Sequence, residues 1–398
     1  MTTPWFSCDA SNRVHQLKDS RNATLARGSF GEVRIAIDKE YNKLIVIKII
    51  LQAYTYGVDG SKHQLRQVAC NEILALRILN GHPNIVPFLG LTESEDRMLP
   101  HALCLAFEYC PIDLSTVITR FRFSIPFKII RLFTRDILSA LHHCHSHGII
   151  HRDVTPRNLL ISSRGRIYLG DFGLCKLHPK VIDKHIANAS NISDEGKALC
   201  TLYYRAPEIL LGGPALDESI DMYSVGLVLA EIINGRALFS GKNVLDQIHR
   251  TFQILGTPSG TEDWVQNLHD FSKVVFRKYE PQPLENILPR AMECPDLLSL
   301  LNSLIVLDPG QRISAETALQ HPVCQHIPSE ISAIEFIPTE CKSVLFHGSS
   351  IEIAESEALS IAMSRRTCKI ENYNTRIRTI EEVLFRKLKG SKDSESKQ

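Results

Sequence analysis

In residues 151–158, HRDVTPRN, an aspartate precedes an asparagine by five positions. That pair suits phosphoryl transfer: the Asp153 carboxylate receives the proton of an attacking hydroxyl, and the Asn158 amide oxygen holds Mg²⁺. Thirteen residues after Asn158 comes Asp171-Phe172-Gly173, whose carboxylate holds the metal that bridges nucleotide phosphates. Ala206-Pro207-Glu208 closes the segment. The seven fixed residues of the first two motifs would coincide by chance with odds on the order of one in a billion per start position. Far upstream, Lys48 lies in an apolar run, where an unpaired ammonium is costly, so it needs a partner.

These groups lie far apart in the chain, so folded elements must bring them together. Residues 43–50, KLIVIKII, are rich in β-branched side chains and predict a buried strand. Two further strand-like runs, 21–25 and 33–37, flank a turn with Gly28 and Gly31. Others are expected at 85–89 and 102–108. Residues 64–79 place Leu65, Val68, Ala69, Ile73, Leu76 and Leu79 at helical spacing. From about Pro111 the pattern turns helical: 127–147 carries one apolar stripe, 222–234 is apolar almost all round, and 297–306 and 314–319 are shorter. A strand-rich lobe with one helix, followed by a larger helical lobe, is an α+β arrangement.

From about Lys18 to Cys324 the sequence resembles the eukaryotic protein kinases, which implies a bilobal kinase fold that binds ATP and Mg²⁺. The expected division is an extension over 1–18, a kinase domain over 19–324, and a tail over 325–398, partly helical with a disordered end. The resemblance implies that Lys48 contacts the α- and β-phosphates and that Glu72 is its ion-pair partner. It makes Leu25, Ala26, Arg27, Gly28, Ser29, Phe30, Gly31, Glu32 and Val33 the loop over the phosphates, with Ala26 in the first glycine position. Residues 102–114 resemble the segment joining the lobes: Phe107 guards the rear of the pocket, Glu108 and Cys110 offer backbone groups to adenine, and Asp113 sits near the ribose.

Residues 201–208, TLYYRAPE, are similar to the cyclin-dependent kinase branch, in which the Arg205 position favours proline after the target Ser or Thr. Leu-Gly-Thr-Pro at 255–258 and the insertion over 256–289 fit that branch. The resemblance also implies an Arg312–Glu208 pair and an anchoring role for Asp221. Three departures stand out. Thr155 replaces the lysine that touches the γ-phosphate. Gly196 replaces the activating threonine, after Asp194-Glu195, with Ser190 or Ser193 as alternative acceptors. The three phosphate-holding arginines become Asn71, Arg152 and Lys176. RQVACN before Glu72 differs from the cyclin-binding helix, so a cyclin partner is in doubt. This profile resembles single-subunit kinases that phosphorylate the activation loops of cyclin-dependent kinases. The alternatives are a cyclin-requiring kinase and a weakly active scaffold.

Composition narrows the class further. With 45 Lys+Arg against 44 Asp+Glu, net charge +1 and 44% hydrophobic residues, the 398-residue chain has no charge for nucleic acid and too much apolar content for general disorder. No apolar run reaches the roughly 18 residues of a bilayer span. Eleven cysteines without C-x-x-C spacing predict free thiols in a reducing cytosol or nucleus. HHCHSH at 142–147 invites a metal, but with no second ligand cluster we expect a helix end. In the tail, helices are expected at 350–363 and 375–389, docking on the kinase or on a partner.

Overall fold

β-Branched side chains are stiff and suit extended backbone, and KLIVIKII accordingly becomes the strand around which the first lobe is built. The computed structural model describes residues 14–16, 24–28, 31–41, 43–51, 53–56, 62–94, 102–181, 201–213, 217–325, 327–328, 331 and 333–336. Its larger sheet begins with β1 (Val14–Gln16), β2 (Thr24–Gly28), β3 (Gly31–Asp38) and β4 (Lys43–Ile50). A separate hairpin, β5 (Tyr54–Tyr56) and β6 (Lys62–Leu65), precedes helix α1 (Gln67–Leu79). Strands β7 (Phe88–Glu93) and β8 (Leu103–Glu108) complete the antiparallel order β1-β3-β4-β8-β7, with β2 also paired to β3. The register sets Lys48 opposite Val33 of β3 and Leu105 of β8.

The second lobe is helical. Its longer helices are α2 (Leu114–Phe121), α3 (Phe127–Ser146), α4 (Ser219–Asn234), α5 (Val244–Leu255) and α6 (Pro295–Leu304). Helix α4 is buried on nearly every side. Its Gly226 lets α6 approach closely, because a Cβ there would lie 2.7 Å from Ile305 Cγ1. Short strands β9 (Ile112–Asp113), β10 (Ile149–Ile150), β11 (Leu159–Ile161), β12 (Ile167–Leu169) and β13 (Lys176–Leu177) lie between the helices and frame the loops that matter for chemistry. The α+β bilobal arrangement expected from the sequence is present.

Several boundaries differ from the periodicity. The helix expected from residue 64 starts at Gln67, because residues 62–65 pair as β6. The strand expected at 85–89 starts at Phe88. Pro87 has no N–H to donate to a ladder, and Ile85 makes only a single parallel bridge to Leu169. Val14–Gln16 pairs with residues 36–38, so the sheet recruits residues from within the 1–18 segment. At the other end, Arg131 donates to the carbonyls of Pro322, Val323 and Gln325, and Phe336 packs edge-on against Phe121 at 4.6 Å. The expected tail helices at 350–363 and 375–389, and the last residues, lie outside the described residues.

The histidine-rich end of α3 is used for packing. His143 stacks on His82 at 4.4 Å and touches His147, and burial together with these neighbours pushes the His143 pKa down to about 4. Among the described residues no cluster has metal-binding composition, no helix is long and apolar enough to cross a membrane, and Cys104, Cys144, Cys175, Cys294 and Cys324 are free thiols.

Arg312 and Glu208 form a bidentate pair at 2.6 and 2.7 Å, with the arginine side chain fully buried and stacked over Tyr223. Breaking a buried pair strands the remaining charge. Arg312→Ala is therefore expected to destabilise the protein by about 3–5 kcal/mol in urea denaturation. A loss below about 1 kcal/mol would contradict this role.

Candidate active site

Residues 151–158 connect β10 to β11, and their backbone hangs on one carboxylate. Asp221 of α4, fully buried, accepts the N–H of His151 and the N–H of Arg152, both at 2.8 Å, while His145 Nε2 lies 2.9 Å away. Burial acts to raise its pKa, but His145, His151 and the backbone donors outweigh burial and hold it below the ordinary value. The same bonds fix Arg152 at φ 68°, a left-handed conformation that costs a non-glycine residue about 1–3 kcal/mol. Within the loop, Asn158 Nδ2 donates to the Asp153 carbonyl and to Asp153 Oδ2, both at 2.8 Å.

Facing this loop, Lys48 of β4 reaches Glu72 of α1 and Asp171 of the loop after β12, each at 2.6 Å. Burial pulls the Lys48 ammonium pKa down, but the two carboxylates outweigh it and hold the pKa above its ordinary value. Glu72 is pushed up by its burial despite Lys48, whereas at Asp171 the lysine overcomes desolvation and the pKa falls. Phe172, next in sequence, is fully buried and packs edge-on against His151 at 4.8 Å. His151 Nε2 in turn lies 3.0 Å from the Gly170 carbonyl, tying the two loops together.

Between the lobes lies a cavity of about 610 Å³, within the usual size of a small-molecule site. Lys48, Glu72, Asn158 and Asp171 line its polar end, and Leu25, Ala26, Val33, Glu108, Cys110 and Asp113 also line it. Asp153 stands beside it through Asn158. The Glu108 N–H is taken by the Pro87 carbonyl, and its own carbonyl faces the Cys110 thiol at 4.0 Å. Asp113 Oδ1 accepts the N–H and hydroxyl of Thr116 at 2.8 and 3.0 Å, capping α2 at the cavity mouth.

The glycine-rich turn divides. Arg27 and Gly28 end β2, while Ser29 and Phe30 fall outside the described residues. Gly31 is required where it stands, since a Cβ would lie 2.4 Å from the Ile49 carbonyl oxygen. Glu32 lies near the start of β3 with its side chain outside the cavity lining. It is buried elsewhere, bound by Thr24 Oγ1 at 2.5 Å and Arg34 Nε at 2.7 Å, because successive strand residues face opposite sides of the sheet.

Sequence reasoning missed part of the wall. Val46 and Leu160 share a face with Lys48 and Asn158 two positions away, a period-two signal that was available. Val86, Thr116, Thr119 and Arg157 had no such signal. Thr155 is buried, and Thr201 donates both its N–H and its hydroxyl to Asp153 Oδ1 at 3.0 Å. Asn71 accepts from Gln67 Nε2 at 2.5 Å, so its amide is engaged within α1. Arg152 is buried and Lys176 partly so; Asp194, Glu195, Gly196, Ser190 and Ser193 lie outside the described residues.

The donor set suits a hard divalent cation. Asn158 commits its amide nitrogen to Asp153, leaving Oδ1 as an acceptor, and Asp171 uses Oδ1 for Lys48 and Gly173, leaving Oδ2. Two oxygens at the phosphate end of a nucleotide-sized cavity are ligands that Mg²⁺ favours.

Residues 20–324 match the model of the protein kinase domain family. The chain is 32% identical over 306 residues to cell division control protein 2 homolog 3 of Trypanosoma brucei brucei, covering 76% of this chain and 90% of that protein. It is 33% identical over 306 residues to cyclin-dependent kinase 20 of Homo sapiens, covering 69% of this chain and 83% of that one.

Removing Lys48 would leave the buried Glu72 without its cation, so that its carboxyl is stranded as a charge or takes up a proton. Lys48→Met is expected to cost about 3–5 kcal/mol in urea denaturation at pH 7. Adding Glu72→Gln should recover at least half of the loss, and strictly additive effects would refute the coupling.

Proposed function

Because the chain belongs to the protein kinase family, with cyclin-dependent-kinase relatives, we propose that it transfers the γ-phosphoryl group of ATP to serine or threonine hydroxyls of protein substrates. The observation that carries this reading is the convergence of Lys48, Glu72, Asn158 and Asp171 on one cavity, with Asp153 held beside it. Asp153 is the base. Asn158 fixes its Oδ2, and Oδ1 receives the acceptor hydroxyl proton once Thr201 gives way. Lys48, oriented by Glu72, holds the α- and β-phosphates. Leu25, Ala26 and Val33 cover the nucleotide, and Glu108 and Cys110 border its base. Mg²⁺, held by Asn158 and Asp171, would neutralise charge on the phosphate oxygens.

Two departures shape the finer proposal. With Thr155 in place of a lysine, the loop lacks a cation between Asp153 and Thr201, so transition-state charge is less well stabilised and turnover is modest. Asn71 is engaged with Gln67, which supports a kinase that needs no activating phosphate. The proposed targets are activation loops of cyclin-dependent kinases, with Pro after the acceptor favoured near Arg205, and the chain acts without a cyclin in the cytosol or nucleus. A cyclin-requiring kinase is the second reading, favoured by the relative named as a cyclin-dependent kinase.

Purified single chain, given ATP, Mg²⁺ and a cyclin-dependent kinase substrate, is expected to phosphorylate it before and after phosphatase treatment. Asp153→Asn should lower kcat by about 10²–10⁴-fold. Equal signals from both proteins would end the enzyme reading, and loss of activity on phosphatase treatment would end the phosphate-independent one. Thr155→Lys, which restores the missing cation, should raise kcat by about tenfold; no increase would refute the explanation of modest turnover.

A further inference from the structure

Among the described residues of the cavity wall, Arg157 is a cation whose charge the proposed reaction does not use. Its backbone is fixed on both sides: the Pro156 carbonyl accepts the Ser115 N–H of α2, and the Asn158 N–H donates to the Thr155 carbonyl. The backbone that carries this exposed side chain is thereby held in place, next to Asn158 in sequence, and Arg157 joins Thr116 and Thr119 in the cavity lining. Among the described residues it makes no hydrogen bond or ion pair. The loop's other arginine, Arg152, is buried.

Arg157 also lies close to the catalytic base: it lines the cavity with its neighbour Asn158, which binds Asp153, and the Thr201 hydroxyl contacts the same Asp153. An acceptor hydroxyl reaching Asp153 must displace Thr201, so a protein substrate lies across this seam, over Arg157. The acids on either side are already committed. Asp113 caps α2 through Thr116, and Glu231 accepts the Tyr204 hydroxyl at 2.6 Å. Two more exposed arginines, Arg120 and Arg122, stand at the far end of α2. At the buried end, the cation among the phosphate-contacting groups is Lys48.

We propose that Arg157 selects protein substrates carrying an anionic group, a carboxylate or a phosphoryl, within a few residues of the acceptor Ser or Thr. The inference rests on the reading of the cavity as the phosphoryl-transfer site. A guanidinium pairs with both anions through two parallel N–H···O bonds, and half-exposed placement at a docking surface converts that pairing into discrimination between partners.

The test uses the full chain and fluorescein-labelled Ser-Pro peptides whose flanking residues are Glu, phosphoserine, Gln or Lys, with binding read by fluorescence anisotropy at low salt. The protein is expected to bind the Glu and phosphoserine peptides about five- to tenfold more tightly than the Gln peptide. Arg157→Gln should flatten that order, and Arg157→Glu should invert it towards the Lys peptide, with unchanged thermal midpoints showing that both variants fold. The two anionic arms tell an acidic sequence from a previously phosphorylated one. Equal binding of all peptides by the unmodified protein overturns the proposal, as does an acidic preference that survives Arg157→Glu. A variant that keeps the peptide order but loses ATP affinity overturns it too, since Arg157 would then serve the nucleotide. Binding needs no turnover, so the expected order without any phosphotransfer would refute the catalytic reading and leave this one standing.

Discussion

A single buried carboxylate, Asp221, fixes the loop on which the chemistry rests. Two successive backbone N–H groups and one imidazole converge on it, so the peptide at His151-Arg152 has little freedom to relax. A carboxylate in the protein interior is costly unless its lone pairs are filled, and here they are filled by the groups that must be positioned. The left-handed backbone of Arg152 is sustained by the same bonds. Loss of the carboxylate would leave two buried N–H groups unpaired, at about 1–3 kcal/mol each, and release the strain into the loop. The direction of Asp153 and Asn158 follows from this anchoring, because both lie within a few residues of the pinned peptide.

A second constraint joins the lobes. Lys48 belongs to the sheet, Glu72 to the helix packed beside it, and Asp171 to the turn of the helical lobe. An ammonium this buried stays charged only because two carboxylates surround it, and each carboxylate depends on the ammonium in turn. The three charges are therefore a unit whose geometry reports how the sheet, helix and loop sit together. Gly31 contributes from the opposite side, where the backbone of β3 must pass close to the Ile49 carbonyl.

The departures from the family pattern spare the residues that converge on the cavity. Thr155 and Asn71 stand where the family resemblance implies cations, and neither lines the cavity, whereas Lys48, Glu72, Asp171 and Asn158 do. Thr201 bonds directly to Asp153 through its N–H and its hydroxyl.

Much of this was legible in the chain. The HRD-x4-N and DFG spacings, the β-branched run around Lys48 and the apolar stripe of α3 are local patterns, and local backbone preference and period are what they encode. The strand period even specified that Val46 would share a wall with Lys48. What period and spacing could not determine were contacts between residues far apart: Lys48 with Asp171 across 123 positions and Thr201 with Asp153 across 48, while the anchoring by Asp221, 70 positions from His151, was implied only by the family resemblance. Such contacts have no period, and they depend on how two lobes pack. The same limit hid where the Glu32 side chain goes, since the pleat turns it to the other face of the sheet. It also hid Arg157, whose lack of a partner among the described residues is a property of what packs around it. Composition and spacing fixed which residue types were available for phosphoryl transfer, and packing decided which of them meet, because burial and pairing are set by neighbours that only the folded chain supplies.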